Sequence, residues 1–217
     1  MYVPSTFRVD DIETIRGFMR QRPFATVVSS GASGMTASHL PLLLQGNDDG
    51  EETLVGHMAR ANGQWRDFSS GEEVLAMFQG AHGYISPSWY ASEVAVPTWN
   101  YTAVHAYGVP EIVDAGPRLQ SIVDAAVERF ERGFNRPWTG GLPDSVREGL
   151  LKAIVGFEIR VTRLEGKFKL GQNRSLEDVE GACQALEASG SQADSELATL
   201  MRRAAEDSGN NPASRDP

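Results

Sequence analysis

The chain has 217 residues, of which 41% are hydrophobic and 23% charged, and this apolar fraction is enough to build a sizeable core. No stretch approaches the roughly 20 apolar residues of a membrane-spanning helix, and segment 1–10 lacks the apolar centre of a signal peptide. The 29 acidic and 20 basic residues give a net charge of −9, which disfavours nucleic-acid binding by the surface as a whole. A single cysteine, Cys183, excludes an internal disulfide, so composition predicts a soluble, cytoplasmic, globular protein.

The first hundred residues predict one helix followed by several strands. An aspartate cap and the helix-breaking Pro23 bound a helix that ends at Arg22. The β-branched segment 24–30 and the segment 35–44 predict a hairpin, with an edge or bulge at Pro41. The next predicted elements are a polar loop at 45–52, a strand at 53–58, a short helix at 61–68, a strand pair at 74–78 and 83–86, and an ordered, aromatic-rich loop at 86–98.

The second half of the chain predicts long strands flanked by helices. Segment 99–113 alternates as a strand with a break near Gly108 and Pro110. Pro117 suits the first turn of a helix that runs to about Gly133 along an apolar stripe. The remaining predicted elements are a helix at 144–153, a strand at 155–164, an extended segment at 166–173, and a helix from the capping box Ser175/Asp178 to about Ala188.

The order of these elements predicts an α+β, mainly β fold. Six or more strands with few regular βαβ alternations favour an antiparallel barrel with helices packed outside it. The folded domain is predicted to span residues 1–188. Residues 189–217 are rich in Ser, Asp, Glu, Asn and Pro, which predicts a polar, flexible C-terminal tail.

Segment 56–65 carries the first candidate site. It passes from a predicted strand into a helix, where unpaired backbone N–H groups suit an anion. The segment also contains His57. Arg60 can donate two parallel hydrogen bonds to phosphate oxygens, and Asn62 can cap the helix or donate a hydrogen bond from its amide. By itself the segment fits a surface arginine followed by a capping asparagine even better.

Four histidines offer candidate ligands, and their spacing limits the possible sites. His39 lies on an apolar strand, as either a core histidine or a side chain that faces a cofactor. No HxxxH or HxH spacing occurs, so the sequence predicts no dedicated metal site. A single axial histidine for haem needs no such spacing and stays open.

Two further segments carry groups that a planar, anionic ligand requires. Trp99, Asn100 and Tyr101 begin a predicted strand, with Trp99 and Tyr101 on one face and Asn100 on the other. They suit an aromatic cofactor, although buried barrel aromatics would look the same. Segment 164–174 holds three basic residues within eight positions, which suits a phosphate, a carboxylate or a solvated strand end. Walker, GxGxxG and GxSxG motifs are absent from the sequence.

Taken together, these segments resemble the PaiB family of FMN-binding negative transcriptional regulators. The matching segments follow the family's order over about residues 1–186 and are 1–4, 39–42, 56–62 with Trp65, 84–90, 96–101 with 104–105, 154–158, 164–167 and 169–174. Gly63 stands where the family usually has proline, and Gly171 stands where the family has serine. Residues 189–217 lie outside the resemblance.

The resemblance implies a split β-barrel like that of flavin reductases and pyridoxamine phosphate oxidases, with FMN bound between the two subunits of a homodimer. It implies that Arg60 holds the phosphate with Asn62 nearby, that the His39 strand runs under the ribityl chain or ring, and that Trp99 to Tyr101 flank the isoalloxazine. Lys169, Gln172 and Arg174 are implied to reach in from the partner subunit. The full set assigned to the cofactor is His39, His57, Arg60, Asn62, Trp99, Asn100, Tyr101, Lys169, Gln172 and Arg174.

Three functions stay open on the sequence alone. The first is a flavin-linked regulator or sensor, whose net charge and lack of a recognition helix argue against strong direct DNA binding. The second is an FMN-dependent oxidoreductase acting on a small substrate, with His39 and Tyr101 as the candidates for acid–base work. The third, ranked below both, is a haem-binding split-barrel protein.

Overall fold

The computed structural model describes residues 1–32, 34–46 and 52–209, and these residues form eight β-strands, five α-helices and three short 3-10 helices. The strands are β1 (Arg8–Val9), β2 (Phe24–Gly31), β3 (Gly34–Pro41), β4 (Leu43–Gly46), β5 (Glu52–Ala59), β6 (Val74–Ile85), β7 (Thr98–Val113) and β8 (Ile154–Lys169). The α-helices are α1 (Ile12–Gln21), α2 (Gly116–Glu131), α3 (Asp144–Lys152), α4 (Leu176–Ala188) and α5 (Gln192–Gly209). The 3-10 helices are Ser5–Phe7, Gly63–Ser70 and Pro87–Trp89.

The strands form one sheet in the order β3-β2-β6-β7-β8-β5-β4, with β1 paired to β8. The predicted hairpin is confirmed, since β2 and β3 pair antiparallel with Thr26 opposite His39. Strand β5 pairs antiparallel with β8, which places His57 opposite Gly156. The edge position predicted at Pro41 is confirmed, because β3 is the last strand on its side of the sheet. The single strand predicted over 35–44 is divided, since β3 ends at Pro41 and β4 begins at Leu43.

Two predicted breaks in the strands are wrong. Strand β6 runs unbroken through Gly80, Ala81 and His82, where the turn of a strand pair was predicted, and β7 runs through Gly108 and Pro110. Two glycines of these strands, Gly83 and Gly108, permit close packing. A Cβ at Gly83 would lie 2.9 Å from Leu197 Cδ2, and one at Gly108 would lie 2.3 Å from the Arg160 carbonyl oxygen.

The chain divides into two compact units. Unit 1 comprises Met1–Ile15, Gln79–Val104 and the described residues from Glu165 onward, and unit 2 comprises Arg16–Phe78 and His105–Leu164. Strands β6, β7 and β8 contribute residues to both units. Each unit has its own buried apolar residues, as expected of a compact body.

In unit 2 the sheet and helix α2 share a core. Phe78 and Phe157 are fully buried, and Phe68 packs edge-on against Phe157 with ring centroids 5.2 Å apart. Helix α2 buries Leu119 and Ile122, the same apolar stripe that its sequence predicts.

In unit 1 helices α4 and α5 pack against each other, which corrects the prediction of a flexible tail from residue 189. Leu197, Ala198 and Met201 of α5 are almost fully buried in a cluster with Cys183 and other residues of α4. Their spacing puts them on one helical face, and a face so short is easily missed among polar neighbours. Arg202 then bridges to α4. Residues 210–217 of the predicted tail, and 47–51 of the predicted polar loop, lie outside the described residues.

None of the helices in the described parts of the chain combines the length and the apolar character needed to cross a membrane.

Candidate functional site

The clearest candidate site lies in unit 1 and begins with two lysines of β8. Lys169 donates from Nζ to the Thr98 hydroxyl and, at 2.9 Å, to the Trp99 carbonyl oxygen. Lys167 donates from Nζ to the Tyr2 carbonyl oxygen at 3.0 Å. Within one protomer, therefore, Lys169 is in direct contact with the Trp99 segment.

Arg174 adds a third cation to this group. Its guanidinium carbon lies 4.6 Å from the ring centroid of Tyr90, and the Lys167 ammonium lies 5.2 Å from that of Tyr101. Burial, and then the like charges of Lys167 and Arg174, lower the pKa of Lys169, so the three cations lie within electrostatic reach of one another.

Carboxylates of the described residues do not contact these cations directly, although Asp178 is close enough to interact with the charge of Arg174. Within residues 1–32, 34–46 and 52–209, none of Lys167, Lys169 and Arg174 lies within 4 Å of a carboxylate oxygen. In a chain with a net charge of −9, such a group is a local positive patch. We call these three residues the cationic cluster.

An exposed aromatic group stands next to the cationic cluster. Trp99 is 50% exposed and Tyr84 is 47% exposed, although both are large and apolar. The Trp99 ring stacks on His82 at 5.9 Å, donates from Nε1 to His82 Nδ1 at 3.3 Å, and meets Tyr84 edge-on at 6.3 Å. This group offers ring surface to a planar ligand. Sequence analysis missed His82 and Tyr84, although their alternation along β6 puts both on one face.

Asn100 and Gln172 do not join the cationic cluster as donors. Asn100 is 1% exposed, and its Nδ2 contacts Met201 Sδ at 3.5 Å. Gln172 accepts from the Leu170 backbone N–H at 2.8 Å and donates to the Phe168 carbonyl oxygen at 2.6 Å. Both amides hold the fold together in this structure.

The other predicted residues lie in unit 2, and Arg60 is occupied there by its own chain. Its Nε donates to the Lys152 carbonyl oxygen at 2.8 Å, and Nη2 donates to the carbonyl oxygens of Ile154 at 2.8 Å and Asp114 at 3.3 Å. Nη1 lies 2.6 Å from the Asp114 carboxylate. All three nitrogens therefore have partners, and the charge is balanced.

Asn62 caps the 3-10 helix Gly63–Ser70, as its position predicted. Its Oδ1 accepts from the Gln64 N–H at 3.1 Å, and its Nδ2 donates to the Ser38 hydroxyl at 2.8 Å. The buried Gln64 side chain then donates to the Val27 and Thr36 carbonyl oxygens. This segment thus anchors the short helix on the β2–β3 hairpin.

The two histidines of unit 2 have different surroundings. His39 is exposed, with Nδ1 at 2.9 Å from the Thr26 hydroxyl and its ring stacked 6.1 Å from Phe24. His57 lines a cavity of about 830 Å³. Burial lowers the pKa of His57 below its ordinary value of 6.5, so the ring is mainly neutral at neutral pH.

The fold places the protein in a defined structural class. It is similar to the flavocytochrome Anf3 from Azotobacter vinelandii, with a TM-score of 0.61 and 15% identity over 81% of this chain and 74% of that chain. It is also similar to the FAD and heme binding protein from Mycobacterium smegmatis, with a TM-score of 0.60 and 18% identity over 85% of this chain and 80% of that chain. The protein has the antiparallel split β-barrel fold of the pyridoxamine phosphate oxidase-like class, with flanking helices.

The sequence comparison then identifies the family. Residues 1–163 match the family described as "Putative FMN-binding domain". The chain is 38% identical over 203 residues to "Protease synthase and sporulation protein PAI 2" of Bacillus subtilis, covering 93% of this chain and 96% of that protein. The chain belongs to this PaiB-like family, which confirms the resemblance seen in its motifs. The cationic cluster follows the end of the family match.

Proposed function

We propose that the protein binds FMN through the cationic cluster and the Trp99 aromatic group, and that it works as a homodimeric, flavin-linked regulator. The observation that carries the proposal is a set of three neighbouring cations, beside a half-exposed indole, that no carboxylate of the described residues contacts directly. The membership of the "Putative FMN-binding domain" family supports it.

The residues present fit the chemistry of FMN. The cofactor has a dianionic phosphate, a planar ring and a polar pyrimidine edge. Lys169 and Arg174 supply donors and positive charge for an anionic group, and Trp99 and Tyr84 supply ring surface. When bound, the flavin supplies the capacity to take up or release electrons, while the protein's own residues hold and orient it.

We assign the anionic group of the ligand to the cationic cluster in preference to Arg60. The Arg60 guanidinium is neutralised by Asp114 and holds the backbone at residues 152–154, so releasing it would cost several hydrogen bonds. Arg60 then acts by positioning the end of β5.

A titration of flavin-free protein with FMN, followed by flavin fluorescence, tests this assignment. We expect Lys169→Gln and Arg174→Gln each to weaken FMN binding about tenfold, since each removes a charge-assisted hydrogen bond. Arg203→Gln, in the exposed part of α5, and Lys152→Gln are matched controls and leave affinity unchanged. Full affinity in the Lys169/Arg174 double variant, with loss in a folded Arg60→Lys variant, would overturn the assignment.

We infer a second copy of this chain as the partner. Strand β3 is at the edge of the sheet, and Phe24 and Met35 on the β2–β3 hairpin are 65% and 80% exposed. Such an edge invites pairing unless it is covered. Light scattering after size exclusion should give twice the mass of the chain. The Phe24→Ser/Met35→Ser double variant should have a measured mass closer to that of the monomer. A monomeric wild type contradicts the inference.

We propose that the protein regulates without strong direct DNA binding, because its net charge of −9 repels the phosphate backbone. Gel shifts at low salt with a promoter fragment from beside its own gene test this point. A tight, salt-sensitive shift would show that the chain itself contacts DNA.

Redox turnover of a small substrate is the second candidate function. The half-exposed Trp99 group leaves the proposed flavin position open to a second molecule. Anaerobic mixing of the FMN-loaded protein with NADH or NADPH distinguishes the two: rapid bleaching of the flavin favours an oxidoreductase, and a flavin that stays oxidised favours a sensor.

A further inference from the structure

Unit 2 contains a cavity of about 830 Å³ whose walls are mainly apolar. It lies between α2, α3 and the segment 132–143, with strand residues at its floor. Val123, Val127, Leu151 and Ile154 line it, and His57 is the one residue in its lining that was assigned to the flavin. Its volume falls within the roughly 300–1,000 Å³ typical of small-molecule sites.

The charged side chains around this cavity are occupied by neighbours on their own chain. Their contacts are Arg132 with Glu128 at 2.7 Å, Glu131 with the Trp138 N–H at 2.7 Å, Asp124 with the Gln120 amide at 2.6 Å, and Arg147 with the Gly140 carbonyl oxygen at 3.1 Å. A charged ligand group would have to compete with these contacts, because the lining holds both signs of charge.

His57 differs from these residues. In the described part of the chain its side chain makes no hydrogen bond or ion pair. A neutral imidazole has one donor and one acceptor nitrogen, so it can bind either kind of uncharged polar group. The ring is half-buried in the lining of the cavity, so a ligand that enters can hydrogen-bond to nitrogens that the described residues leave available.

Trp138 indicates that the ligand of this cavity is aromatic. Its side chain lines the same cavity and remains 49% exposed, and the nearby Leu150 is 55% exposed. An exposed indole beside aliphatic walls favours an aromatic ligand, because ring–ring packing adds to burial of apolar area.

We propose that this cavity is a second ligand site, which takes an uncharged aromatic molecule carrying one hydroxyl, carbonyl or amide group that hydrogen-bonds to His57. The flavin is proposed to bind through residues of unit 1, so the two sites can be tested separately.

A series of pyrenes that share one ring system and differ in the polar group tests the proposal. The probes are 1-hydroxypyrene, pyrene, 1-pyrenecarboxylate and 1-pyrenemethylammonium, added to the full chain without flavin. Binding is followed by energy transfer from tryptophan to pyrene. We expect 1-hydroxypyrene to bind most tightly, and Trp138→Phe to reduce the transfer.

Two variants locate the bound probe. His57→Leu should weaken the binding of 1-hydroxypyrene three- to tenfold and the binding of pyrene less than twofold, because only the hydroxyl group loses its hydrogen-bond partner. Leu150→Trp should obstruct the opening of the cavity and weaken the binding of every probe at least tenfold. Leu176→Trp places the same substitution on an exposed leucine of α4 and should change nothing. Thermal unfolding verifies that each variant is folded.

Three results would overturn the proposal. The first is 1-hydroxypyrene binding that does not respond to Leu150→Trp, or no binding at all. The second is tenfold tighter binding of the carboxylate or the ammonium probe. The third is a Soret band on haemin titration that His57→Leu abolishes, since the imidazole would then be a metal ligand.

Discussion

Arg60 and Lys169 are both cations at the ends of strands, and their surroundings give them different roles. Arg60 has a carboxylate at 2.6 Å and three backbone carbonyl partners. Lys169 has a hydroxyl, one carbonyl oxygen and two neighbouring cations. A cation repelled by its neighbours gains more from an incoming anion than one already paired. At the scale of single residues, compensation of charge therefore decides which basic residue is available to a ligand.

Asp178 shows the opposite case, an anion used for stability. It is 2% exposed and accepts from the Ser92 backbone N–H at 2.9 Å and the Ser92 hydroxyl at 2.8 Å. Burial raises the pKa of Asp178, but the hydrogen bonds from Ser92 and the charge of Arg174 outweigh it, so the pKa lies below its ordinary value of 3.8. The stabilisation is present above the unfolded-state pKa and is lost as the pH falls through the folded-state pKa.

We therefore predict that Asp178→Asn lowers the free energy of unfolding at pH 7 by about 1–3 kcal/mol, because the amide has one acceptor oxygen where the carboxylate has two, and because both bonds with Ser92 lose their charge assistance. The variant should also lose part of the acid dependence of stability below about pH 4. Urea unfolding at pH 7 and pH 3.5 measures both effects. Glu177→Gln removes the same charge from the same helical turn, at an exposed position, and should cost less than 0.5 kcal/mol.

At the scale of elements, a glycine in α4 sets how the 3-10 helix Pro87–Trp89 packs on it. A Cβ at Gly181 would lie 2.2 Å from the Trp89 carbonyl oxygen. We predict that Gly181→Ala destabilises the protein by about 1–2 kcal/mol, since the clash outweighs the gain of roughly 1 kcal/mol in helix propensity. Gly149→Ala in α3, where a Cβ meets nothing within 4 Å, should instead stabilise by about 0.5–1 kcal/mol. Equal effects of the two substitutions in chemical denaturation would contradict this account.

Helix α5 is an integral element of unit 1. Leu197 is fully buried, whereas Thr199 two residues on is exposed. Leu197→Ala should lower the free energy of unfolding by about 2–5 kcal/mol, and Thr199→Ala should change it by less than 0.5 kcal/mol. Unfolding in urea compares the two. A cost below 1 kcal/mol for Leu197→Ala would support the flexible tail that the sequence predicted.

At the scale of the whole molecule, a ligand that binds only the folded state raises its stability. At an FMN concentration one hundred times its dissociation constant, the gain is about 2.7 kcal/mol, or roughly 5–10 °C in melting temperature for a chain of this size. We predict that shift for FMN with the wild type, a smaller one for riboflavin, which lacks the phosphate, and at most about 2 °C for FMN with the Lys169→Gln/Arg174→Gln double variant, whose affinity is about 100-fold lower. Differential scanning calorimetry measures all three, and equal shifts with FMN and riboflavin would exclude a role for the phosphate.

Much of the fold follows from local pattern. The hairpin at β2–β3, helices α1 to α4 and the capping role of Asn62 were predicted because periodicity, proline positions and caps act over a few residues. The ordered motifs were enough to identify the PaiB-like family. The two strand errors arose because Gly80 and Gly108 resemble turn signals in sequence, whereas both lie inside continuous strands, and Gly108 is required by the Arg160 backbone, distant along the chain.

By itself, the sequence determined the fold class, the family and the bounds of several elements, among them α1 to α4, since each depends on short-range pattern or on motifs in a fixed order. Only the tertiary structure decided that Arg60 is paired, that Lys169 lies against Trp99, that His57 faces a cavity, and that α5 is packed. Each of these depends on contacts between residues far apart in the chain. Charge compensation and burial are properties of such contacts, so they could not be predicted from local sequence pattern.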